Sequence, residues 1–87
     1  MYSICYSEIV VKEHIPRMNK SARDAVRKAI EKKLTLHPIE FGKPLQYSYR
    51  GHRCLCVADY RVIYRVDVPK KSVFIVAIGH RKDIYDE

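Results

Sequence analysis

The sequence predicts an α+β two-layer sandwich, with an N-terminal strand and a helical hairpin packed on a mainly antiparallel sheet of three to four strands. Three observations carry this. Between positions 22 and 34 the apolar residues recur at helical spacing. From Leu45 onward the apolar period changes to two. The later apolar runs are joined by connections of only a few residues, which suit antiparallel neighbours, because parallel ones need a long crossover.

Residues 2–6 are rich in aromatic and β-branched types and form the first predicted strand. Ser7 is a suitable N-cap for a short helix over 8–14, which Pro16 is expected to end. Residues 19–21 offer a new cap. The second helix, 21–36, places Ala22, Ala25, Val26, Ala29, Ile30 and Leu34 on one face, opposite Arg23, Arg27, Lys28, Glu31 and Lys32. Its small apolar residues suit close packing on a sheet. Pro38 ends it, and 41–44 is predicted as a loop. Strands are then expected at 46–49, 52–57, 60–67 and 72–80. The connections are Arg50-Gly51, Ala58-Asp59 and a turn at 68–71 containing Pro69.

Side-chain alternation sorts these strands. Tyr60, Val62, Tyr64 and Val66 face the helices, with Leu55 and Val57. Arg61, Ile63 and Arg65 face away, with His52, Cys54 and Cys56, on a face left open or covered by a partner. On 72–80 both alternating sets are apolar, so the pattern does not assign its facing, and the strand is expected inside the sheet.

Composition narrows the function. The 87 residues form one expected domain, 1–87, with enough apolar residues (47%) to bury a core. The longest apolar run is the six residues 73–78, far short of the roughly 20 that a membrane span needs. Residues 1–11 lack a cationic start and an unbroken apolar stretch, so no secretory leader is expected. Three cysteines argue against a disulfide scaffold and for a reducing, cytoplasmic location. Cys5 is expected as a core thiol, with Cys54 and Cys56 semi-exposed. His14 and His37, at helix ends, are expected as surface or cap residues. Lys and Arg total 17 against 10 Asp and Glu, a net charge of +7 that suits a polyanionic partner such as nucleic acid or an acidic protein segment.

The arginines suggest the chemistry. Arg61 and Arg81, with Arg65 and Arg53, suit bidentate contact with phosphates. Arg50 and Lys82 extend the basic sets around them. His52 and His80 are suited to proton transfer near neutral pH, and Tyr85 to stacking on a base. No metal or cofactor is called for if an RNA 2′-hydroxyl attacks its own adjacent phosphate. His52-x-Cys54-x-Cys56 is a poor metal set, because alternate strand residues lie roughly 7 Å apart and the outer pair roughly 13 Å.

Four stretches then stand together: HPIEFGKPL from His37, RCLCVADYR from Arg53, VIYRVD from Val62 and AIGHRKDIY from Ala77. In order and spacing they resemble the RelE/ParE superfamily of toxins from type II toxin–antitoxin systems, in its RelE-like branch. KEHIPR from Lys12, followed by the long basic helix, resembles that branch too. The resemblance covers nearly the whole chain.

It implies a ribosome-dependent, metal-independent mRNA endonuclease (an mRNA interferase), with the ribosome, mRNA and a cognate acidic antitoxin as partners and no membrane. Arg61 matches the mid-sheet arginine, Arg81 the second functional arginine and Tyr85 the C-terminal tyrosine. His80 stands at a position that is basic in RelE-like sequences. Cys54 and Cys56 stand where the family often has cations, with His52 and Arg53 retained nearby. The alternatives that the resemblance implies are a ParE-like DNA gyrase inhibitor and a catalytically weakened, antitoxin-binding relic.

Overall fold

The structure, a computed structural model, describes residues 1–84. Strands β1 (Ser3–Tyr6), β2 (Lys43–Pro44), β3 (Arg53–Val57), β4 (Tyr60–Asp67) and β5 (Ser72–His80) form one sheet in the order β1-β5-β4-β3-β2. The N-terminal strand thus joins the four later strands in one five-stranded sheet. The first strand joins it parallel to β5, and every other pairing is antiparallel. The predicted strand at 46–49 is instead a 3₁₀ turn, Tyr47–Tyr49. The predicted loop at 41–44 supplies β2, which pairs with β3 through Lys43 and Pro44. Proline suits this position because an edge strand has no outer ladder to feed.

The helical layer is α1 (8–17), α2 (20–34) and the single turn α3 (Pro38–Phe41). Ser7 caps α1, its Oγ accepting the Val10 N–H at 3.4 Å. The helix runs through Pro16 rather than ending before it. A π-type turn, Val10–His14, precedes the proline, with the Ile15 N–H bonded to the Val10 carbonyl. That wider turn relieves the crowding that a proline ring imposes on the carbonyl four residues back. Asn19 caps α2, its side chain accepting the Ala22 N–H at 2.8 Å. Val26, Ile30 and Leu34 are buried, with Ala22 and Ala29 packed beside them, while Ala25 falls off the stripe and is exposed.

Residue alternation along β4 holds: Val62 and Tyr64 are buried under the helices, with Tyr60 and Val66 at the margins. On β5 it is interrupted. Ile63 lies opposite Ala77, but Tyr64 lies opposite Ile75, so Val76 is an extra residue in β5. This bulge lets Val73, Ile75 and Ile78 all enter the helix-side core, and it turns Phe74 to the other face. That face is not open throughout. Ile63, Cys54 and Leu45 form a second buried cluster, flanked by Tyr49, Val76, Ala77 and Ile84. Cys54 is thus buried rather than semi-exposed. Cys5 is exposed rather than a core thiol, because Tyr2, Ile4 and Tyr6 take the core side of β1 and leave Ser3 and Cys5 facing away at the sheet edge.

Beyond Tyr6, α1 takes over the edge of β5. The Ser7 N–H bonds to the Ile75 carbonyl at 2.9 Å, and the Ser7 hydroxyl donates to the Val76 carbonyl at 3.4 Å. His14 Nδ1 accepts the Ile78 N–H at 3.1 Å. His14 is therefore a half-buried edge partner, not a surface residue.

One polar knot ties α3 to the sheet. The buried Tyr64 hydroxyl donates to the Pro38 carbonyl at 2.6 Å. Arg53 donates to the carbonyls of Ile39 and Gly42 at 2.6 and 2.7 Å. Gly42 is required there, since a Cβ would collide with the Tyr64 hydroxyl. Burial pushes the Tyr64 phenol above its ordinary range, and Arg53 pulls the other way.

Two expectations follow for stability. The folded-state rise at Tyr64 means its contribution is fully present below the unfolded phenol value of about 10 and is lost as pH climbs beyond it. Tyr64→Phe should cost about 1–2 kcal/mol at neutral pH. It should also flatten the alkaline decline in urea midpoint measured between pH 8 and 11. An unchanged alkaline slope would contradict this. Ala58, at the β3–β4 turn, has φ 52°, a left-handed backbone that a Cβ disfavours. Ala58→Gly should raise stability by about 0.5–1 kcal/mol in the same titration, and a loss would count against it.

Candidate functional site

The hairpin end of the sheet gathers the main candidates. Cys56, Arg61 and Gly79 form one row across β3, β4 and β5, on the face away from the helices. Past the end of β5 the Arg81 N–H bonds to the Asp59 carbonyl at 2.7 Å, which carries the pairing one step further. Strand alternation from Gly79 then puts Arg81 on the same face as Arg61, one step along. Arg61 curls toward the turn, donating to the Tyr60 and Ala58 carbonyls at 3.2 and 3.4 Å. Arg81 Nε lies 3.7 Å from Asp59 Oδ1, with both side chains more than half exposed. Such a pair is worth little in water, so an incoming phosphate competes with Asp59 on favourable terms.

His80 lies opposite Tyr60, and its ring packs edge-on against the Tyr60 ring at 5.5 Å. It therefore borders the arginines from the helix side. Its Nδ1 accepts the Lys82 N–H at 3.1 Å, which puts the proton of the neutral ring on Nε2. Lys82 is exposed in the turn that follows. Tyr85 lies outside the described residues.

Three candidates sit elsewhere. His52 is four residues from Cys56 along β3, roughly 13 Å away at the opposite end of the sheet. Its ring packs on Tyr49 at 6.2 Å, and its buried Nδ1 has no hydrogen-bond partner. Arg53 faces the helix side and is committed to the Ile39 and Gly42 carbonyls. Arg50 is exposed in the turn beside them. Arg65 shares the Arg61 face, four residues further along β4, with its guanidinium over the Phe74 ring at 5.3 Å. The structure thus brings Arg61, Arg81, His80 and Lys82 to one end of the sheet, with His80 on the face opposite Arg61, and separates them from His52, Arg53 and Arg50. Among the described residues no group of three His, Cys, Asp or Glu is placed to hold a metal ion.

Two features of this end escaped the sequence reading. The backbone turns back after β5, with the Asp83 and Ile84 N–H groups bonded to the His80 carbonyl at 2.8 and 3.1 Å. Ile84 then lies on Gly79, where a Cβ would stand 2.9 Å from two of its carbons. The glycine before a basic pair was the only available signal. Likewise, Asp59 was read as a turn residue, and its role as partner of Arg81 depends on a contact 22 positions away in the chain.

An α+β sandwich with arginines at one end of its uncovered sheet face defines a class, the small toxins of the RelE/ParE superfamily. The chain belongs to this superfamily: residues 9–85 match the family of the ParE toxin of type II toxin–antitoxin systems, parDE. It is similar to the toxin RelG of Mycobacterium tuberculosis, with 36% identity over 52 residues, a match spanning 60% of each chain. Its fold resembles the RelBE2 toxin–antitoxin complex of the same organism, with a TM-score of 0.85, 24% identity, and coverage of 92% of this chain and 98% of that one. It also resembles the isolated Escherichia coli RelE toxin, with a TM-score of 0.75, 21% identity, and coverage of 92% and 84%. Among the described residues no helix is long and apolar enough to cross a membrane.

The second cluster makes a chemical prediction. Ile84 packs against the cluster that holds buried Cys54, while Cys5 and Cys56 are exposed. A disulfide reagent should modify Cys5 and Cys56 quickly in the native protein and Cys54 slowly. Ile84→Ala should accelerate the slow thiol by about ten-fold or more, the equivalent of roughly 1.4 kcal/mol in local opening. Three equally fast thiols in the native protein would contradict the packing.

Proposed function

We propose that this chain is the ribosome-dependent mRNA endonuclease of its toxin–antitoxin pair, and that it cuts the A-site codon without a metal ion. The observation that supports this most is the placement of Arg61 and Arg81 on one sheet face at the hairpin end, with His80 at their border. Two guanidinium groups at one end of the sheet suit a phosphodiester that gains charge as it reacts.

In this reading the 2′-oxygen of one nucleotide attacks the adjacent phosphorus and loses its proton to a base. The bond to the 5′-oxygen breaks, and that oxygen takes up a proton. The products are a 2′,3′-cyclic phosphate and a 5′-hydroxyl. Arg61 and Arg81 hold the non-bridging oxygens, and His80 is the candidate for proton transfer. Tyr85 is proposed, on family resemblance, to stack on the target nucleotide. The partner is an acidic antitoxin segment that neutralises the +7 charge and covers the arginines.

A second reading has two observations in its favour. The matching family is that of ParE, and Cys56, beside Arg61, stands where RelE-like sequences often carry a cation. It makes the chain a DNA gyrase inhibitor with the same fold.

The test is a mapping of new 5′ ends on ribosomes holding an mRNA and an empty A site. Wild-type protein should cut within that codon and leave naked mRNA intact. Arg61→Ala and Arg81→Ala should each lower the rate by about 10²-fold or more. Co-added antitoxin should abolish cutting. Folded protein that leaves the codon intact but traps gyrase on cleaved DNA would replace this reading with the second.

A further inference from the structure

The bulge at Val76 has a consequence outside the arginine cluster. It puts Phe74 on the uncovered face, directly opposite Arg65. The Arg65 guanidinium lies over the Phe74 ring at 5.3 Å, and Arg65 is exposed. Cys5, the next residue in that row on β1, is small and exposed, so nothing bulky closes the platform from the edge. Beside it runs a groove of about 620 Å³, bounded by Cys5, Arg65, Phe74, Asp67 and Lys70. The one carboxylate on this rim, Asp67, accepts the Lys70 N–H at 3.2 Å and so serves the β4–β5 turn.

An arginine in cation–π contact with an aromatic ring is restrained at low entropic cost. Its outer face is a planar, cationic surface that stacks on a nucleobase of any identity. Arg65 and Arg61 lie on the same face of β4, roughly 13 Å apart. Between them rises the ridge made by Ile63, Ala77 and Ile84. A strand whose phosphate sits at Arg61 therefore meets Arg65 with a flanking nucleotide, not with the phosphate being cut.

We propose that Arg65 and Phe74 form a stacking subsite for an RNA base flanking the cleavage point. The subsite rests on the endonuclease reading for its place in the reaction, but its binding chemistry stands apart from cleavage. It acts on affinity, and Arg61 acts on turnover. The planar group is what matters, so Lys at position 65 does not substitute for Arg.

Two measurements on the full chain test this and keep the two readings separable. The first titrates the protein against a single-stranded oligouridylate carrying one 2-aminopurine, whose fluorescence is quenched by stacking. Wild type should quench it. Arg65→Lys and Phe74→Leu should weaken the binding by about ten-fold or more and remove the quench, while circular dichroism confirms the fold. The second is A-site cleavage at varied concentrations of programmed ribosome. Arg65→Lys should raise KM by about ten-fold with kcat unchanged, and an abasic flanking position should bring wild type to the mutant level without affecting the mutant.

Quenching retained in Arg65→Lys and Phe74→Leu would overturn the subsite, as would wild-type KM in Arg65→Lys. Quenching that depends on both residues, in a protein that cuts no A-site codon, would uphold the subsite and overturn the endonuclease reading instead.

Discussion

One extra residue in one strand sets much of this molecule's layout. Strand β5 is apolar on both alternating sets, so nothing in its side chains alone decides which set faces the helices. The bulge at Val76 resolves the choice in two halves. Below it Val73 and Ile75 point into the helix-side core, and above it Ile78 does the same. Had the register run straight, Ile78 and Ile75 would have lain on opposite faces. Ala77 and Gly79 consequently share the arginine face, where they leave room for Ile84 and bring the chain around toward Asp59. The position of Arg81 beside Arg61 is thus inherited from a backbone irregularity several residues away.

The second dependency is electrostatic. α3 meets the sheet through a knot in which Tyr64 and Arg53 donate to three backbone carbonyls. Arg53 looks in sequence like another phosphate ligand, but its guanidinium closes the C-terminal end of α3. The basic charge of the chain therefore divides by task. Part of it holds a loop, part lies along α2, and Arg61, Arg81 and Lys82 remain at the hairpin end. Their acidic neighbour Asp59 holds Arg81 only weakly, since both side chains are more than half exposed.

The parts of the fold legible in sequence are those governed by local chemistry. β4 and β5 begin and end at the predicted residues, because turn-forming pairs punctuate a period-two pattern. Asn19 caps α2 as expected, since its side chain needs only the next turn of its own helix. Apart from the passage of α1 through Pro16, the main errors are non-local. Tyr47 and Tyr49 have strand-like side chains, but β3 takes its pairing from Lys43 and Pro44 instead, and Leu45 becomes a plug in the second cluster. Cys5 and Cys54 exchanged their expected environments because burial depended on an edge position in one case and on the second cluster, with Ile63 and Leu45, in the other. At the candidate site, Arg61 and Arg81 were legible through family resemblance, whereas Asp59, Gly79 and the Arg65–Phe74 pair required the register.

The account's central claim is chemical: the RNA supplies its own nucleophile, and two arginines stabilise the charge that develops. The most direct measurement is the end chemistry of the cut mRNA on ribosomes, with a single 2′-deoxy substitution at the nucleotide 5′ to the cut. The account predicts a 2′,3′-cyclic phosphate and a 5′-hydroxyl on the all-ribose message, and no cut at the deoxy position. A 5′-phosphate, or unchanged cutting of the deoxy message, would show that water or another group attacks the phosphorus and would contradict the account.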